Sequence, residues 1–470
     1  MQRIFLRKAS ILFALTACFF ALPAQADFPL GVQYYEQSNF EKAYREFFQA
    51  AKYGDYSAQF NLGVMYYRGE FVQKDTTTGY AWLALAAQDK EYSEKSLHRE
   101  IYDKFTNEEK KKADSIYKGL FDQYSDAAIE KNLIPVYTGG SPLSKRLRIL
   151  KQVLPEYPSR ALRDAGRGWV DVFFTVDKDG TTRDHVVQYS SGDYFTTAVI
   201  DALRGWQFEP TIIGGRAVAV NGVQQRFIFS LDGVPFDEGK IKKLMTEMRE
   251  KAVSGNPSAK YTYAYFLDAL PSFTHYTPIA DSNENPNKWY LAAANSGSAI
   301  SSFSLGRNIL NGDMCTADGN KSMGWLLKAA SQNVIDAQYL LALELFSGAH
   351  LEKNEEQAMY WLRKAADHNS PGNMAAKLRY AGILATNPDK DQRNGKLATT
   401  YLNQVNEEYR DKQTYYQVSA AVFAENGDFD AAVKWQIKAQ KDAQKLNLPE
   451  QKINERLEAY GNRKAWREMP

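Results

Sequence analysis

The sequence predicts an α+β protein: all-α helical repeats, stacked as a solenoid, flank a small β-β-α-β domain. Three observations predict it. Tryptophans recur at a fixed spacing on helix-like stretches, and the apolar period switches from helical to alternating and back in the middle of the chain. The third is composition: 470 residues, 44% hydrophobic and 24% charged, suit a folded chain of about three domains.

The repeats come first. Trp289, Trp325 and Trp361 stand 36 residues apart, and each is followed at the fourth and fifth position by two alanines (Ala293-Ala294, Ala329-Ala330, Ala365-Ala366). Trp82 has the same companions, Ala86-Ala87, and Ala50-Ala51 lies one period earlier. Small residues follow in register at Ala58, Ser301 and Ala337, then at Gly63, Gly306 and Ala342. Small side chains at recurring helical positions let antiparallel helices approach closely, while the Trp fills the gap to the next pair. Each pair keeps one apolar face that only stacking buries. Thr106 with Glu109 is a capping box opening a helix that runs through Tyr124.

Between Leu154 and Leu231 the period changes. Val170, Val172, Phe174 and Val176 alternate with Trp169, Asp171, Phe173 and Thr175, a strand pattern. Asp179-Gly180 signals a hairpin, and Val186–Tyr189 supplies the returning strand. Phe195, Ala198, Val199, Ala202, Leu203 and Trp206 share one helical face, and a last strand runs from Val223 to Leu231. The chain thus divides into 1–26, 27–90 (repeats), 91–149 (helical connector), 150–232 (β-β-α-β domain) and 233–470 (repeat solenoid).

Two resemblances attach to these residues. Ala58-Gln59-Phe60-Asn61-Leu62-Gly63 with Trp82 and Ala86-Ala87, and Asp336-Ala337-Gln338-Tyr339 with Trp361 and Ala365-Ala366, resemble the Sel-like repeat, a relative of the tetratricopeptide repeat (TPR). Leu154-Pro155-Glu156-Tyr157-Pro158, Gly168-Trp169-Val170, Asp177-Lys178-Asp179-Gly180 and Trp206-Gln207-Phe208-Glu209-Pro210 resemble the C-terminal domain of the TonB family. That resemblance implies an extended peptide from an outer-membrane transporter, added along the last strand by β-augmentation. Carried over, the partner-binding candidates are Tyr157, Pro158, Gln224, Gln225, Arg226, Phe227 and Ile228, with Phe227 in the core and the polar face of the strand open. The repeat core falls to Trp82, Trp289, Trp325 and Trp361. A TonB transducer keeps a membrane helix and a Pro-rich spacer, whereas this chain has 16 Pro and repeats in place of a spacer.

The N-terminus reads as a cleavable signal peptide. Arg3, Arg7 and Lys8 precede the apolar run Ala9–Leu22, and Ala24-Gln25-Ala26 is a small-x-small cleavage site. The expected location is therefore the periplasm, with a mature chain starting at Asp27. Without three cations and no acid, the net charge moves from +2 to −1, which gives no support for nucleic-acid binding. Leu15-Thr16-Ala17-Cys18 resembles a lipoprotein box and offers the alternative of lipidation at Cys18, against which stands the apolar Phe19-Phe20-Ala21-Leu22 that follows. Cys315 then has no intramolecular partner and reads as an inert loop thiol.

Motifs for catalysis, phosphate binding or metal ligation are absent from the sequence, and its five His are scattered. The expectation is no catalytic residue, no metal and no cofactor. Lys145, Arg146, Arg148, Lys151, Arg160, Arg163 and Arg167 form a basic cluster. It either steers an acidic partner or belongs to an amphipathic connecting helix with Leu147, Leu150 and Leu154 inward. The function expected is protein–protein interaction in the cell envelope, as an accessory of TonB-dependent transmembrane transport. The alternative is an envelope scaffold or cell-wall-associated factor whose middle domain is structural.

Overall fold

The computed structural model describes residues 29–138, 143–163, 166–230, 238–270, 284–405, 409 and 411–468. The expected signal 1–26 and Cys18 lie outside the described residues. The chain forms two compact units, 1–133 and 134–470, so the boundary falls inside the stretch read as a connector.

The first unit is a stack of helices from Pro29–Glu36 to Asp126–Leu133. Side-chain oxygens of Asn39, Asp55 and Asp75 accept backbone N–H groups at three successive helix starts, satisfying donors that a helix start leaves unpaired. The capping box of Thr106 and Glu109 opens Asn107–Tyr124, the helix that packs across Thr76–Ala86. Gly63 and Gly79 meet where the helices cross: a Cβ on Gly63 would sit 2.9 Å from the Gly79 carbonyl oxygen. Trp82 is buried and stacks on Tyr124 at 5.7 Å.

The second unit holds the small domain and the longer helical array, Glu238–Val253 through Gln451–Gly461. Trp325 and Trp361 are each 1% exposed and their alanine pairs are buried as well, whereas Trp289 is half-buried and meets Tyr263 edge-on at 4.9 Å. Cys315 is buried, which pushes its thiol up to about 12.

The small domain is built on a three-stranded antiparallel sheet. Its strands are β1 (Ile149–Lys151), β2 (Gly168–Val176), β3 (Thr182–Ser190), β4 (Gln207–Phe208), β5 (Thr211–Ile213), β6 (Arg216–Val218) and β7 (Val220–Phe229). The sheet order is β3-β2-β7, with β1–β4 and β5–β6 as separate short pairs. The hairpin between β2 and β3 turns at Gly180, whose φ of +83° favours glycine and whose missing Cβ would collide with the Phe208 carbonyl. Helix Asp193–Leu203 covers the face carrying Val170, Val172, Phe174 and Val176, joined there by Trp206, Phe227 and Phe229.

No amphipathic connecting helix forms over 145–154. Leu143–Arg146 is a single turn, β1 follows, and Leu150 and Leu154 are 58% and 76% exposed. Pairing of β1 with β4 ties this stretch into the sheet domain and outweighs its helical pattern.

Candidate functional site

The pairing of β2 with β3 and β7 fixes which backbone groups of β7 face outward. Trp169 O accepts the Ser191 N–H at 3.0 Å, so Trp169 turns its backbone groups toward β3. Its partner across the ladder, Ile228, therefore forms a non-hydrogen-bonded pair with it. By alternation the pairs Asp171–Arg226 and Phe173–Gln224 are of the same kind, while Val170–Phe227 and Val172–Gln225 exchange the ladder bonds. Two further contacts agree: Gly222 O accepts Asn311 Nδ2 at 2.8 Å, and Arg226 O accepts Gln225 Nε2 at 3.0 Å. Gln224, Arg226 and Ile228 thus point N–H and C=O groups away from the sheet. Among the described residues β7 has a strand neighbour on the β2 side only. Such a row is a template for a further strand.

The side chains of the expected site are disposed differently from one another. Phe227 is in the core, edge-on to Trp206 at 5.5 Å. Gln225 shares that face opposite Val172, and Gln224 and Ile228 are half-buried on the other. Tyr157 donates its hydroxyl to Gly166 O at 2.6 Å and sets its ring edge-on to Phe229 at 5.6 Å. Half-buried Pro158 accepts the Leu162 N–H at 3.0 Å, opening the short helix that follows.

The polar face of β7 was expected to lie open, and it does not. Arg226 reaches Asp171 through Nε at 2.6 Å and Nη2 at 3.1 Å, and also Asp268 of helix Pro257–Ala269 at 3.4 Å. Asp171 is 1% exposed and takes a further hydrogen bond from the Tyr265 hydroxyl. Burial works against the charge of Arg226, yet Asp171 and Asp268 overcome it and hold the guanidinium above its ordinary range.

This pattern continues along the sheet. Asn221 donates to Glu344 Oε1 at 3.0 Å, and Thr175 donates to Asn221 at 3.1 Å. Tyr339 donates to Asp184 at 2.7 Å, Arg307 binds Gln188, and Phe173 packs by Phe303 at 6.2 Å. His185 Nδ1 lies 3.2 Å from Asp411 Oδ2; burial opposes the Asp411 charge, but His185 and Arg204 bring its pKa down to about 2. Alternate helices of the array (Pro257–Ala269, Ala299–Asn311, Ile335–Ser347) therefore present a polar layer that receives the polar face of the sheet. The sequence reading missed these residues. One signal was available: Glu344 is a lone acid in Leu340-Leu341-Ala342-Leu343-Glu344-Leu345-Phe346, and it is 0% exposed.

Among the described residues no group of three His, Cys, Asp or Glu is placed to hold a metal ion, and no helix is long and apolar enough to cross a membrane.

Comparison with known proteins gives these domains their families. Residues 153–231 match the family of the Gram-negative bacterial TonB protein C-terminal domain, and 57–90, 299–334 and 335–370 match the Sel1 repeat. The middle domain therefore belongs to the TonB C-terminal family, and the helical pairs that match are Sel1 repeats. Both are protein-interaction folds. No curated protein matches the chain. Among solved structures, a Sel1 repeat protein from Oxalobacter formigenes is 23% identical over 43% of this chain and 80% of its own, with a TM-score of 0.35. The TonB C-terminal domain of Pseudomonas aeruginosa is 31% identical over 19% of this chain and 89% of its own, TM-score 0.18. A protective antigen of uropathogenic Escherichia coli with an SLR fold is 18% identical over 95% of this chain and 73% of its own, TM-score 0.36.

Proposed function

We propose that the chain is a non-enzymatic interaction protein of the periplasm that takes an extended peptide along the outer edge of β7, as an accessory of TonB-dependent transport. The observation that carries this reading is the run of outward N–H and C=O groups at Gln224, Arg226 and Ile228. Main-chain hydrogen bonds would supply the affinity, and the side chains flanking the added strand its selectivity. With Arg226 and Phe227 held inside the fold, the backbone rather than these side chains meets the partner.

The test is amide hydrogen exchange of the whole chain, with and without a synthetic N-terminal peptide of an outer-membrane TonB-dependent transporter. Slowed exchange at Gln224, Arg226 and Ile228 is expected, and Gln224→Pro should abolish it by removing one outward donor. Gln225→Pro would instead break the ladder, since the Gln225 N–H faces β2. Protection confined to other residues, or none, would sink the proposal.

A second reading has its own observation. The burial of the sheet's polar face against the helical array favours an envelope scaffold whose middle domain serves as a structural part. In that case Gln224→Pro leaves every partner of the chain in place.

A further inference from the structure

A groove of about 660 Å³ on the outer side of the middle domain takes no part in the strand pairing above. It runs between the segment 153–160 and the outer flank of helix Asp193–Leu203. Its walls are apolar, made by Leu154, Tyr157, Pro158 and Tyr194, and Leu154 stands 76% exposed there. Among its lining residues Glu156, Asp193 and Asp201 outnumber the one cation, Arg160, although Arg167 also lies close enough to act on Tyr157. Asp201 lies 3.6 Å from Arg204, but that guanidinium is itself 8% exposed and shared with Asp442, while the Asp201 side chain is 57% exposed.

We propose that this groove docks a short extended peptide that carries lysine or arginine among apolar residues. The apolar walls give such a segment area to bury, and the excess of carboxylates selects its charge. The same excess repels phosphates, which disfavours nucleic acid and anionic lipid. Spacing sharpens the class. Asp193 and Asp201 are eight positions apart on one helix, roughly 12 Å along its axis at the usual rise. An extended chain covers that distance in about four residues, so the two cations should stand four positions apart. The proposal is independent of the β7 edge.

The probe is a fluorescein-labelled heptapeptide, Leu-Lys-Pro-Leu-Pro-Lys-Leu, titrated with the full chain and read by fluorescence anisotropy. Its control replaces both lysines by glutamate. The lysine peptide should bind, more weakly as salt rises, and the glutamate peptide should not. Asp193→Asn combined with Asp201→Asn should weaken binding about tenfold, the sum expected for two rim charges. Leu154→Ser should weaken it as well. These positions are exposed, so circular dichroism should match the parent chain. Gln224→Pro, which disables only the strand edge, should bind this peptide as the parent does. The proposal fails if the lysine peptide shows no binding up to about 1 mM, if the glutamate peptide binds equally, or if the double variant binds unchanged.

Discussion

The two faces of the middle sheet are held by different physics. On one, Val170, Val172, Phe174, Phe227 and Phe229 pack under helix Asp193–Leu203 by burial of apolar area. On the other, Asp171, Asp184, Asn221 and Arg226 are matched with Tyr265, Tyr339, Glu344 and Asp268 of the helical array, while Thr175 donates to Asn221 within the sheet. Apolar packing tolerates substitutions that conserve volume, whereas a buried polar seam demands each partner. The difference teaches that the helical array does more than display a surface: one of its layers is occupied by the chain's own sheet.

The largest expected effects set the faces against each other directly. Phe174→Ala should destabilise the second unit by about 3–5 kcal/mol through a cavity, and Asp171→Ala by about 3 kcal/mol by leaving buried Arg226 with Asp268 as its one acidic partner and the Tyr265 hydroxyl without its acceptor. They separate on repair. Asp171→Leu with Arg226→Met should recover most of the loss, because a buried pair replaced by apolar groups is often neutral. Chemical denaturation measures all three, and a double variant no better than the single one would show that Tyr265 and Asp268, left behind, dominate the cost.

Asn221→Ala should cost less, about 1–3 kcal/mol, by leaving a carboxylate oxygen of Glu344 short of a donor. A change within the error of the melt would mean that water replaces the amide.

The smallest expected effect is a slope. The hydrogen bond from His350 Nδ1 to Glu344, 3.1 Å long, raises the imidazole above its usual 6.5, with burial acting against it. The charged pair therefore contributes fully below pH 6.5, and its contribution is lost as pH rises through the raised value. Parent and His350→Gln should converge in stability on the alkaline side and diverge below. Parallel pH profiles would remove His350 from the seam.

Much of the fold was legible because local structure has local causes. The helix starts carry Asn, Asp, Ser or Thr caps, the Trp–Ala–Ala register marks helices that pack closely, and Asp179-Gly180 turns the hairpin. The outer edge of β7 was legible only in part. The last strand and its residues could be named, but which of them face outward depends on the register with β2. The stretch 145–154 misled, since its leucines and basic residues fit a helix as well as they fit an exposed strand beside β4.

What the sequence determined by itself is therefore the repeat helices and their register, the hairpin, covering helix and last strand of the small domain, and its apolar core, all written in spacings of a few residues. Tertiary structure alone decided that the polar face of the sheet is buried, that Arg226 is spent inside the fold, and that the backbone groups of Gln224, Arg226 and Ile228 turn away from β2. The physical reason is that a polar strand face reads the same whether it meets water or partners. Those partners here lie far away in the chain: 123 residues separate Asn221 from Glu344, and 155 separate Asp184 from Tyr339.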